Sequence, residues 1–198
     1  MTQRHPARLA LGGLVAAIAV VALALAAGDD AVERARLAAR WTARVGFPLF
    51  ILTYIASSLH RLWPSERTRT LLRERRWWGL GFAAAHTVHL AALVTYLQIS
   101  GEVRPISTLV GGGLAYALLF AMAATSNKVA MRALGRNWKR LHTMGIHYIW
   151  LIYAISYSGR LFDPERQMIG LVFTPIALAA LGLRLWARFG SARKLQAA

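Results

Sequence analysis

Six apolar stretches, each about 20 residues long, constrain this chain more than any other feature. They lie near residues 9–27, 45–63, 77–99, 107–126, 141–159 and 168–188. A helix rising about 1.5 Å per residue needs about 20 apolar residues to cross roughly 30 Å of hydrocarbon. Inside lipid every backbone N–H and C=O must be satisfied within the protein, and a single helix does this for itself. The expected fold is therefore all-α: an integral membrane bundle of about six transmembrane helices. The connecting segments are short, and no internal repeat interrupts them. One domain over residues 1–198 is expected, with no separate soluble catalytic module.

Charge sets the orientation. The chain has 24 Lys plus Arg against 8 Asp plus Glu, a net charge of +16. The N-terminus, the 61–76 and 127–140 loops and the C-terminal tail hold 17 of the basic residues, with only Glu66 and Glu74 as acids. The 28–44, 100–106 and 160–167 loops hold 7 basic and 6 acidic residues. Basic loops stay in the cytoplasm, so both termini are expected inside. Trp63, Trp77, Trp78, Trp138 and Trp186 fall at helix ends on that side, where indoles favour the membrane interface. A basic chain can also bind nucleic acid, but here the cations separate apolar blocks and form no stripe along one face. No nucleic-acid partner is expected; lipid is.

The first stretch has a second reading. Arg4 and Arg8, an apolar run and Ala24-Leu25-Ala26-Ala27 resemble a secretory signal peptide. The run exceeds the roughly 7–15 residues of a signal core, so residues 1–27 are read as a retained helix. There is no cysteine, which excludes disulfides, iron–sulfur clusters and covalent c-type haem. No Walker loop and no strand-to-helix GxGxxG is present, so no nucleotide domain is visible.

His60, His86, His89, His142 and His147 lie inside or at the edge of apolar stretches; His5 is in the N-terminal tail. An ionisable group in a membrane span costs a few kcal/mol unless paired or functional. From the basic end of the third stretch, His86 and His89 lie about 15 and 20 Å deep, and three residues apart they share a helix face. His142 starts the fifth stretch, and His147 lies about 11–12 Å in. His147 matches His86 most nearly in depth, and His142 matches His60.

Two imidazoles from facing helices at one depth can hold a haem iron from both sides, within apolar surroundings that suit the macrocycle. Arg76, Arg136 and Arg140 at the inner helix ends can neutralise haem propionates. Other readings stay open. A histidine in a membrane helix also serves as a hydrogen-bonding partner between helices. A bare metal site on His86, His89, His142 and His147, or a transport pathway, is weakened because no Asp or Glu lies well inside a span. Gly111-Gly112-Gly113 marks either a close helix approach or a flexible helix start. Tyr54, Tyr96, Tyr116, Tyr148, Tyr153 and Tyr157 read as packing or interface anchors.

Two segments carry a family resemblance. Arg75-Arg76-Trp77-Trp78-Gly79-Leu80 leading to Val88-His89-Leu90 resembles the third-helix signature of the ferric-reductase-like transmembrane family. Leu134-Gly135-Arg136-Asn137-Trp138-Lys139-Arg140-Leu141-His142, with Thr125-Ser126 before it, resembles that family's entry to the fifth helix. Within the family, the chain is similar in size to the haem-binding membrane subunit of the bacterial periplasmic methionine-sulfoxide reductase system. The resemblance spans about residues 45–160. One departure stands out: the family usually has a second fifth-helix histidine about thirteen residues after the first, and here that position is Ile155. His147 stands about 12 Å shallower.

The resemblance implies a cytochrome b subunit in the bacterial inner membrane. It would carry one haem b or two, and would pass electrons outward as an oxidoreductase component without its own flavin domain. The electron donor would be a cytoplasmic flavoprotein, with its flavin, or a quinone. The acceptor would be a periplasmic protein. The expected ligands are His86 or His89 with His147, and His142, matched to the family, with His60 as its partner near the inner face. The alternatives are a haem-free membrane scaffold for a partner protein and a small metal or proton transporter.

Overall fold

A computed structural model describes residues 7–196, with side chains through residue 190; Arg4 and His5 lie outside the described residues. Every regular element among them is helical: α1 (Ala7–Ala27), α2 (Ala31–Leu62), α3 (Glu66–Ser100), α4 (Ile106–Ala124), the short α5 (Lys128–Leu134), α6 (Arg136–Gly159) and α7 (Gln167–Gln196), with a 3₁₀ turn at Arg160–Phe162.

Local chemistry sets the helix ends. Asp30 accepts from the Glu33 amide through Oδ1 at 2.8 Å and so caps the start of α2. Ser65 and Thr68 exchange side chain-to-amide bonds of 3.0 and 3.2 Å at the start of α3, a reciprocal cap after Pro64. Asn127 caps α5 through the Ala130 amide at 2.8 Å. Gly135, with φ of 50°, separates α5 from α6 in a conformation that side chains disfavour.

Five described helices are long and apolar enough to cross a membrane: α1, α2, α3, α4 and α7. The protein is thus an all-α, multi-pass membrane bundle. The stretch expected over 141–159 forms within α6, which has 24 residues. Its Arg136, Lys139, Arg140, His142 and His147 dilute the apolar character that marks the other five. Several helices outrun the apolar stretches. α2 begins at Ala31 rather than near 45, and α3 at Glu66 rather than near 77. Residues 31–45 contain no Gly or Pro and are rich in Ala and Arg, which propagate a helix without any membrane.

The chain divides into two compact units. The first comprises the chain through Thr53 together with Arg73–Ile106, and the second comprises Tyr54–Leu72 with the chain from Ser107 onward. In the first, α1 and α3 meet backbone to backbone. A Cβ on Gly13 would strike the Gly81 carbonyl, and one on Gly81 would come within 2.9 Å of the Leu9 carbonyl oxygen. Small residues drive such close helix packing where lipid removes the hydrophobic incentive. Also in the first unit, α2 and α3 run antiparallel. Thr42 meets His89, Gly46 meets His86, Phe50 meets Phe82 with ring centroids 5.3 Å apart, and Thr53 meets Gly79. In the second unit α6 joins α4 and α7. The Tyr148 hydroxyl donates to the Gly111 carbonyl at 3.2 Å, and Trp150 Nε1 donates to the Ala177 carbonyl at 2.8 Å. Tyr153, Tyr157 and Phe173 stack in series at 5.8 and 4.8 Å. The first glycine of the 111–113 run therefore serves a close approach; Gly112 and Gly113 face open space.

Candidate functional site

The histidines of the first unit sit one turn apart on α3, against two positions of α2 that are themselves one turn apart. His86 packs its ring edge where Gly46 lacks a side chain; a Cβ there would overlap the imidazole. Phe82 covers the same ring at 4.3 Å between centroids, and the His89 ring stands 5.4 Å away, near edge-on. His89 is held through Nδ1, which lies 3.1 Å from the Thr42 hydroxyl oxygen. Thr42 is fully buried. Its hydroxyl donates back along its own helix to the Ala38 carbonyl at 2.6 Å, the usual back-bond of a helical threonine.

The second unit holds the other three. His147 Nδ1 is 3.0 Å from the Tyr54 hydroxyl, with the rings edge-on at 5.5 Å. Tyr54 is fully buried. The Arg184 guanidinium lies 4.4 Å over the Tyr54 ring and donates to the Tyr54 carbonyl. A cation over an aromatic face gains from the ring quadrupole, more so away from water. Trp150 stacks beside the same ring at 6.5 Å.

His142 is held through its other nitrogen. Nε2 lies 3.1 Å from the Thr125 hydroxyl, which donates to the Ala121 carbonyl at 2.7 Å. Trp138 stacks on the His142 ring at 4.1 Å, and its Nε1 donates to the Thr125 carbonyl at 2.9 Å. Three residues of the second sequence motif, Thr125, Trp138 and His142, thus form one network joining the end of α4 to α6. His60 Nδ1 meets the Thr68 hydroxyl at 3.1 Å, and that hydroxyl donates to the Trp63 carbonyl at 2.9 Å. His60 is therefore tied to the turn between α2 and α3.

Of the three arginines expected near propionates, Arg76 stacks on Trp77 at 5.0 Å, and Arg136 and Arg140 are exposed. Among the described residues no three His, Asp or Glu gather as a multidentate metal site.

A membrane ligand histidine needs one nitrogen with a free lone pair and a partner on the other, because the second nitrogen fixes the tautomer and ring orientation. His89, His147 and His60 have Nδ1 on a hydroxyl; where that hydroxyl accepts, the lone pair is left on Nε2. His142 has the opposite arrangement, with Nε2 on Thr125. Each of these residues, His89 in the first unit and His147, His60 and His142 in the second, thus has one ring nitrogen on a hydroxyl, a donor set whose chemistry fits imidazole ligation of a haem iron.

Sequence reasoning passed over Thr42, Gly46, Thr125 as a hydrogen-bond partner, and Arg184. Arg184 counted only as a positive charge at the C-terminal end. Thr42 and Gly46 are four residues apart, as their partners His89 and His86 are three apart; matched faces of that kind are the one signal that pointed to them.

The fold and these side chains define a class: a multi-pass helical membrane protein with hydroxyl-anchored histidines within its helices. No family model matches the chain, and no solved structure matches it. Curated relatives do. The chain is 31% identical to the protein-methionine-sulfoxide reductase heme-binding subunit MsrQ of Klebsiella pneumoniae, the match covering 59% of this chain and 63% of the relative. It is 29% identical to MsrQ of an Enterobacter species, over 74% of this chain and 72% of the relative. It is 32% identical to MsrQ of Cronobacter sakazakii, over 59% of this chain and 64% of the relative. The chain thus spans between about three fifths and three quarters of the length of these relatives. The likeness to this haem-binding subunit, read from two motifs, extends to its named members.

Proposed function

We propose that this chain is a haem b-binding membrane subunit that carries electrons outward across the bacterial inner membrane. It does so as one ferric-reductase-like domain of six spans with both termini in the cytoplasm. The observation that carries the reading is His89 in α3, held through Nδ1 by a buried hydroxyl. That arrangement is how a protein prepares an imidazole for a metal, and relatives sharing 29–32% identity are named as haem-binding.

When bound, haem supplies a one-electron couple at the iron. The chain's own part is to hold, bury and orient. His89 or His86 from α3 and His147 from α6 are the iron ligands, chosen for similar depth. Tyr54, itself braced by Arg184, holds the His147 ring, and Arg76, Arg136 and Arg140 would neutralise the propionates of a bound haem. His142, matched to the family, with His60 near the inner face is the candidate pair for a second haem, so the count is one haem or two. The donor is a cytoplasmic flavoprotein or a quinone, and the acceptor a periplasmic reductase partner.

The test is the absorption spectrum of the purified protein before and after dithionite. A Soret band that shifts on reduction is expected, together with its loss or strong perturbation in His147→Ala and retention in His60→Ala. Colourless, folded protein from haem-replete cells would instead identify a scaffold subunit.

A further inference from the structure

We propose that Thr42 is the positioning residue for the α3 haem ligand: its hydroxyl holds His89 in the tautomer protonated on Nδ1, so that Nε2 carries the lone pair offered to iron. The inference rests on the haem reading above and adds to it both a residue and a direction for one hydrogen bond.

The direction follows from counting hydrogens. A threonine hydroxyl has one hydrogen to donate and lone pairs to accept with. The Thr42 hydrogen is spent on the Ala38 carbonyl at 2.6 Å, the shortest of its contacts. Toward His89 Nδ1, 3.1 Å away, the oxygen therefore only accepts, and the ring must donate. An imidazole that donates from Nδ1 and is neutral keeps its lone pair on Nε2.

Geometry also separates His89 from His86. The His86 ring edge fills the space at Gly46 and is covered by Phe82, a packing role. His89 is anchored through Nδ1 by a hydroxyl with no exposed surface. That burial matters: with no water to substitute, removing the hydroxyl leaves the ring to rotate or to change tautomer.

The test uses the protein as purified, in lipid nanodiscs, with 15N-labelled histidine rings and dithionite to keep any low-spin iron diamagnetic. His89 is assigned by its missing signals in His89→Asn. The expected result is a protonated Nδ1 and a non-protonated Nε2 for His89 in the wild type. In Thr42→Val, which keeps the shape but not the hydroxyl, that pattern is lost, and haem transfers to apomyoglobin about 10- to 100-fold faster, the usual effect of removing such a partner. Thr42→Ser restores both. A wild-type His89 protonated on Nε2 would overturn the proposal, as would Thr42→Val leaving ring signals and haem transfer unchanged. Protein that proves haem-free yet shows Nδ1 protonated would uphold Thr42 as the anchor and overturn the electron-carrier reading alone.

Discussion

At the scale of single residues, hydroxyl groups decide what each histidine can do. His89, His147 and His60 each place Nδ1 on a hydroxyl, whereas His142 places Nε2 there. Types and spacing placed these histidines in the membrane, but not their partners, which lie as far as 93 residues away in the chain. Tyr54 read as a packing anchor, and its fully buried, Arg184-covered ring agrees with that role; its hydroxyl adds the bond to His147. Arg184 was legible only as a charge, because nothing local tells a topology signal from a guanidinium turned onto an aromatic ring. Gly46 supports a direct prediction at this scale. Gly46→Val drives a side chain into the His86 ring, so overpacking should cost about 1–3 kcal/mol. The measurement is the thermal melting point of the solubilised protein, expected to fall. An unchanged melting point would mean that His86 does not sit in that seat.

At the scale of elements, the apolar stretches located the membrane segments and missed the helix ends. The stretch near 9–27 corresponds to α1 and that near 107–126 to α4, since polar turns bound both closely. α2 and α3 continue for many residues beyond their apolar parts because helix propensity, unlike membrane insertion, tolerates Arg and Glu. α6 was found through its apolar stretch even though its histidines and basic first turns keep it out of the five helices that are long and apolar enough to cross a membrane. The contact of α1 with α3 through Gly13 and Gly81 bears on whether residues 1–27 stay with the mature protein. Gly13→Leu should separate these helices and destabilise the protein by about 1–3 kcal/mol or more, with loss of folded yield. The intact mass of purified protein checks retention itself: 21.8 kDa for the sequence as given, and a product lacking the first 27 residues if that segment is a cleaved signal.

At the scale of the molecule, the uneven placement of 24 basic residues gives one topology that agrees with the positive-inside rule. The absence of cysteine makes that topology directly testable. Single cysteines at Ser65 and Asn127 should resist a membrane-impermeant maleimide in intact cells, and cysteines at Gly101 and Asp163 should react. Reversed labelling would contradict a topology with both termini in the cytoplasm. The overall class was legible because bilayer thickness fixes span length; the site was legible only as a set of histidines, because tautomer and partner depend on which helices meet.

Electron paramagnetic resonance of the oxidised, purified protein examines the central claim most directly. A low-spin ferric signal is predicted for iron held by two imidazoles, becoming high-spin or vanishing in both His89→Ala and His147→Ala. A preparation without ferric haem, or a low-spin signal untouched by both substitutions, would contradict it.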